Sequence, residues 1–273
     1  MSSENFDKKI SHEEIDQELS TRFSEYKPTF KIALETKKYS MTTAQDLSEL
    51  KELFILRYDC FLRDIEKKDG IQLDLDKFDL VCDHLVIRCN ETQKVVGTYR
   101  MIPSSVSNEF YSQSEFNLDD FLKVDGIKVE LGRACIEENH RNGYVIDLLW
   151  RGIAEYCKVT SARFLFGCSS INETSPIIAR QLVEYFKNRG EHLDDFDVKP
   201  IGKYDMNLDS VSLEPNEEAV LKKIVPSLLR SYLNAGAKIY GHPALDEDFA
   251  CIDFFNIIDL DHLNPSYRKR YFK

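Results

Sequence analysis

The chain has 273 residues, 42% of them apolar and 30% charged, so it can bury a sizeable core and is not a disordered chain. Against 47 Asp and Glu stand 36 Lys and Arg, and the formal charge of −11 excludes a broad nucleic-acid-binding face. The 7 cysteines include no CxxC pair, which argues against a disulfide framework or a zinc site, and no window approaches ~18 consecutive apolar residues, which excludes a spanning helix.

Residues 1–40 are polar and carry no apolar signal stretch. They read as a loosely packed extension to a single domain over residues 41–273, in a chain expected to be cytoplasmic. A helical pattern begins at Thr43 and runs through Leu47, Leu50, Leu53, Phe54, Tyr58 and Phe61, with Thr42 or Thr43 as its cap. Residues 63–80 are charged and irregular and predict a loop. Two β-rich runs, His84–Cys89 and Val95–Ile102, flank a polar turn and predict an antiparallel hairpin. Residues 103–122 read as a long polar connection, followed by a strand over Lys128–Ile136. After Asn142-Gly143 the stripe Val145, Ile146, Leu149, Trp150, Ile153, Ala154, Cys157 predicts a helix. Arg163–Cys168 reads as a buried strand. Ser175-Pro176 starts a helix that Gly190 ends. A helical stretch over Asn216–Gly236 is interrupted at Pro226. Short strands over Lys238–Tyr240 and Cys251–Ile258 close the order. This alternation predicts an α/β or α+β fold, a mixed sheet with helices on both sides.

Several polar residues stand inside apolar elements. Glu130 and Arg133 lie in one strand, on opposite faces if it is regular and on one face if it bulges at Gly132. They read either as a salt-bridged and a solvated side chain, or as a proton-accepting carboxylate beside a substrate-positioning arginine. Asp79 and Asp83 read as loop acids or as a pocket for a cationic amine. Arg57 and Arg100 read as salt-bridge partners when each is taken alone. The start of the helix after Arg141 offers unpaired N–H groups suited to a phosphate or a polar amide arm, or is an ordinary strand–turn–helix. The six His show no metal-ligand spacing, and no metal is expected.

Strand 128–136, the Arg141-Asn-Gly turn, helix 144–157 and strand 163–168 resemble the acyl-donor half of the GCN5-related N-acyltransferase fold, a mixed central sheet flanked by helices. That family carries Arg/Gln-x-x-Gly-x-Gly/Ala around the coenzyme A pyrophosphate. Here Arg141 matches, but Tyr144 and Ile146 stand at the small positions. Within the superfamily, Arg57 and Phe61, Asp79 and Asp83, Arg100, and Glu130 with Arg133 resemble motif positions of acyl-homoserine-lactone synthases. Phe78–Leu85, Phe110–Leu118, Glu130–Trp150 and Gly236–Asp246 with Asp253-Phe-Phe255 resemble the bacterial L-ornithine Nα-acyltransferases, sometimes labelled hemolysin-like.

The resemblance implies transfer of a (3-hydroxy)fatty acyl group from acyl carrier protein to the α-amine of an amino acid, ornithine foremost, giving a lyso-aminolipid. Glu130 and Arg133 are then the catalytic pair, with Glu130 as base. Arg57, Phe61, Asp79, Asp83 and Arg100 bind the acceptor, Arg133 and Arg100 through its carboxylate. Arg141, Asn142, Gly143, Tyr144 and Val145 bind the donor's acyl-phosphopantetheine arm, and no cofactor is held permanently. An acyl-homoserine-lactone synthase using S-adenosylmethionine and a non-catalytic acyl-binding module are the alternatives. The segment Tyr267–Lys273 mixes four cations with three aromatics. It reads either as a peripheral contact with the inner membrane or as a tail packed on the fold.

Overall fold

The computed structural model describes residues 12–67, 70–213 and 217–272. In chain order they form α1 (His12–Arg22), β1 (Ala33–Glu35), β2 (Tyr39–Thr43), α2 (Leu47–Phe61), α3 (Arg63–Glu66), β3 (Asp83–Cys89), β4 (Val95–Pro103), β5 (Phe116–Asn117), α4 (Asp119–Lys123), β6 (Ile127–Ile136) and α5 (Gly143–Thr160). Then follow β7 (Ala162–Ile171), α6 (Pro176–Asn188), β8 (His192–Leu193), β9 (Lys199–Pro200), α7 (Glu218–Ile224), α8 (Ser227–Ala235), β10 (Lys238–Tyr240), β11 (Ala244–Asp246), β12 (Cys251–Asp259) and α9 (Pro265–Tyr271). The chain divides into two compact units, 1–101 with 133–156 and 102–132 with 157–273.

In the first unit β1, β2, β3 and β4 pair antiparallel in sequence order. The 83–101 hairpin sets His84 opposite Arg100. Helix α2 is capped by Asp46, whose side chain accepts from the Glu49 N–H. The Thr42 and Thr43 caps expected from sequence are therefore corrected: both lie in β2, and Thr43 Oγ1 accepts from the Ile32 N–H at 3.0 Å. Residues 12–40 are also not a loose extension. Ile15, Leu19 and Phe23 bury against Leu50, Leu53 and Phe54 of α2, so α1 covers an apolar face that α2 would otherwise expose. Residues 1–11 lie outside the described residues. The expected loop over 63–80 contains α3 and a 3-10 turn, Lys77–Leu80, capped by Asp76.

In the second unit β6 runs parallel to β7 from Ile127↔Ala162 to Glu130↔Phe166. Strand β12 pairs antiparallel with β7, β10 and β11, and β8 pairs parallel with β10. Gly167 is required where it stands, because a Cβ there would lie 2.3 Å from the Leu131 carbonyl oxygen. Ser175 caps α6, with Pro176 in its first turn as expected. Pro226 separates α7 from α8, and Gly236 ends α8 at φ 114°. Asn216, the expected start of that stretch, is outside the described residues. The expected polar connection over 103–122 is a built segment: a 3-10 turn, Tyr111–Ser114, then β5 and α4, with Phe110, Phe116 and Phe121 buried.

Candidate active site

Two clusters of charged residues are buried, one in each unit. In the first, Arg57 on α2 meets the acids of the 74–79 segment. Its Nε donates to Asp74 at 2.7 Å, and its two terminal nitrogens donate to the Asp79 oxygens at 2.7 and 3.1 Å. This forked geometry is the one a guanidinium and a carboxylate share. Arg100 donates to both Asp76 oxygens at 2.8 Å and to Asp79 at 3.2 Å. Arg133, at the left-handed φ of 50°, reaches Asp74 at 3.3 Å and Asp76 at 3.4 Å. Three guanidinium groups thus face three carboxylates. The side chains of Arg57, Asp79 and Arg100 are at most 1% exposed, while Asp76 is 24% and Arg133 13% exposed.

Burial alone would raise the Asp79 carboxyl, but Arg57 and Arg100 outweigh it and hold it well below the usual carboxylate range. Burial lowers His84 to about 4 despite Asp79, so this imidazole is neutral at pH 7. Its Nε2 lies 3.2 Å from the Cys82 thiol and 3.3 Å from the Asp79 carbonyl. The structure therefore brings Arg57, Asp79, Arg100 and Arg133 together. Asp83 lies apart from them, accepting from the Thr29 and Phe30 N–H groups at 2.7 and 3.0 Å and from the Tyr156 hydroxyl at 2.6 Å. Phe61 ends α2 and packs half-buried on the α1–α2 core.

At the start of α5, Asn142 Oδ1 accepts from the Tyr144 and Val145 N–H groups at 3.1 and 3.2 Å, so this side chain caps the helix. Arg141 Nε donates to the Ile136 carbonyl at 2.9 Å. Gly143 has nothing within 4 Å of its missing Cβ, Tyr144 is 75% exposed, and Val145 is fully buried.

The second cluster surrounds Glu130. One oxygen accepts from the Tyr111 N–H at 2.8 Å, the other from the Ser112 N–H at 2.7 Å and its hydroxyl at 2.6 Å. These bonds fix the 3-10 turn to β6. The same turn reaches further acids: the Tyr111 hydroxyl donates to Asp246 at 3.3 Å, and the Cys168 thiol donates to Ser112 at 3.4 Å. Glu115 follows the turn, and Asp246 and Asp253 come from β11 and β12. These three carboxylates lie within 4.8 Å of one another. Burial, then Asp253 and Asp246, raise Glu115 to about 9. Glu115, Asp246 and Asp253 stand in stretches that resemble the L-ornithine Nα-acyltransferases, but no sequence pattern assigns any of them a role. Asp74 and Asp76 likewise carry no sequence signal. An acid next to a capped turn looks like any loop acid until its burial is known.

Residues 56–151 match the model of the acetyltransferase (GNAT) domain, a span that includes Arg57, Asp79, Arg100, Glu130, Arg133 and the Arg141–Val145 turn. The chain is an acyltransferase, and its mixed α/β fold is of the GNAT type. It is similar to the L-ornithine N(alpha)-acyltransferase of Brucella abortus, 29% identical over 210 residues that cover 73% of this chain and 75% of that protein. The protein of that name from Rhodobacter capsulatus is 26% identical over 247 residues, covering 85% of this chain and 94% of the relative. Among solved structures, the AHL synthase LasI matches 89% of this chain and 96% of its own at 11% identity, with a TM-score of 0.47.

Proposed function

We propose that the chain moves a (3-hydroxy)fatty acyl group from acyl carrier protein to the α-amine of an amino acid, ornithine foremost, giving a lyso-aminolipid. The observation that carries this reading is the similarity to L-ornithine N(alpha)-acyltransferases over 73% and 85% of the chain. An amine at pH 7 must lose a proton before it attacks a thioester. Glu130, buried and held by the 111–112 turn, is the proposed base, acting directly or through water. Arg133 and Asp76 form the partly exposed rim of the first cluster, where the acceptor carboxylate would exchange with Asp76 for the guanidinium fork. The exposed Tyr144 and half-buried Ile146, in place of two small residues, favour a carrier-protein arm over coenzyme A, whose pyrophosphate needs a close wrap.

The test supplies 3-hydroxyacyl carrier protein with each amino acid in turn, and with S-adenosylmethionine, and identifies products by mass spectrometry. Acyl-ornithine is the expected product. A lactone from S-adenosylmethionine, or no thiol release with any acceptor, would overturn the reading.

A further inference from the structure

Glu115, Asp246 and Asp253 are 0%, 3% and 3% exposed, and their carboxylate oxygens converge within 4.8 Å. Asp246 is oriented by the N–H groups of Asp248 and Phe249 at 2.9 and 3.1 Å and by the Tyr111 hydroxyl. Asp253 is oriented by the Ser170 hydroxyl at 2.5 Å and the Cys251 thiol at 3.9 Å. Glu115 differs. The Tyr111 hydroxyl and Cys168 thiol lie close enough to favour its ionised form, yet both its oxygens are buried without a hydrogen bond of ordinary geometry. Three buried acids this close cannot all ionise, so Glu115 keeps its proton unless a cation enters to offset the charge.

We propose that these three carboxylates receive the side-chain ammonium of the acceptor amino acid, an inference that rests on the amino-acid acceptor reading above. An alkylammonium offers three N–H donors and no acceptor, one donor for each carboxyl. A divalent cation fits less well. Magnesium demands a near-ideal octahedron and keeps several waters, whereas the Asp246 and Asp253 oxygens already accept protein hydrogen bonds in a site at most 3% exposed. The placement also suits the chemistry. Tyr111 bonds Glu130 through its N–H and Asp246 through its hydroxyl, so one turn joins the proposed base to the ammonium site. An acceptor anchored by its far amine would present its α-amine toward that turn. The groups facing Glu115 include Asp253, Asp246, Tyr111, Cys168, Tyr204 and Cys251, none of them cationic; the ammonium of Lys203 acts on Asp246 from the exposed side, where it pairs with Asp248 at 3.4 Å.

The experiment compares ornithine with norvaline, which has the same carbon chain and no side-chain amine. For the intact chain, kcat/KM with 3-hydroxyacyl carrier protein is expected to favour ornithine. In Glu115→Gln the ornithine-to-norvaline ratio should fall at least tenfold. An unchanged ratio in a folded variant would overturn the proposal. Calorimetry on the unsubstituted chain gives a second measurement that needs no variant and no acyl donor. Ornithine binding at pH 8 should release a proton that norvaline binding does not, because Glu115 ionises as the ammonium arrives. Ornithine binding without proton release, or protection by magnesium in its place, would overturn it. Turnover of neutral amino acids with no ornithine binding would sink the ammonium site alone. Proton-linked ornithine binding with no acyl transfer to any acceptor would leave this site standing and sink the proposed function.

Discussion

Glu115 is costly to bury, and that cost has a pH signature. Its folded-state carboxyl titrates near 9 against an ordinary value of 4.5. Folding stability from this group is fully present below the unfolded value and is lost as pH rises toward 9, by up to about 1.4 kcal/mol per pH unit for one proton. Glu115→Gln should therefore match the parent in urea denaturation near pH 5 and exceed it near pH 9. Parallel stability curves would contradict this. Arg57 behaves oppositely. Its removal leaves Asp74 and Asp79 buried without their forked partner, so Arg57→Ala should cost about 3–5 kcal/mol. A loss below about 1 kcal/mol would mean the cluster relaxes or hydrates freely.

The helix stripes, the hairpin and the Pro and Gly boundaries were legible because each follows from local periodicity or backbone restriction. Helix α5 lies where Val145, Leu149, Trp150 and Ile153 required it, and α6 starts at Pro176. What was not legible depends on partners distant in sequence. Helix α1 has no strong stripe, and only its contact with α2 makes Ile15 and Leu19 core residues. Asp83 resembled its neighbour Asp79 in sequence, yet one holds residues 29–30 and Tyr156 and the other two arginines. Glu115 and Asp253 lie 138 positions apart, and no local pattern announces that β12 brings them together. Two element-scale outcomes follow. Leu19→Ala should destabilise the chain by about 2–4 kcal/mol, read by chemical denaturation, whereas a loosely packed segment would show almost none. Gly167→Ala should force β6 and β7 apart at Leu131 and lower both melting temperature and activity; full activity with an unchanged melting temperature would show that the strands give way at no cost.

Across the whole molecule, the two clusters respond to pH in opposite directions. In residues 1–101 and 133–156, Asp79 lies below its ordinary range and His84 near 4. Both make the unfolded chain take up more protons as pH falls below about 6.5, so stability there is lost on acidification. Hydrogen exchange at pH 4 should open the 74–84 segment before the 110–118 segment; simultaneous opening would contradict the assignment. Among the described residues no helix is long and apolar enough to cross a membrane. Helix α9 exposes Arg268, Lys269 and Arg270. With Tyr267 and Tyr271 half-buried, the tail is neither a core element nor fully free of the fold. Sedimentation with anionic vesicles, against a chain ending at Pro265, tests it as a surface contact: basic residues contribute about 1 kcal/mol each, so binding should weaken in the shorter chain. Equal sedimentation of both would remove the tail from that role.

The most direct measurement is the position of the acyl group on ornithine after incubation with 3-hydroxyacyl carrier protein, read by fragmentation mass spectrometry. Glu130 as base and the Glu115, Asp246 and Asp253 site for the far ammonium together require acylation at the α-nitrogen with the side-chain amine left free. A product acylated on the side-chain nitrogen, or no acyl-ornithine at all, would contradict that arrangement.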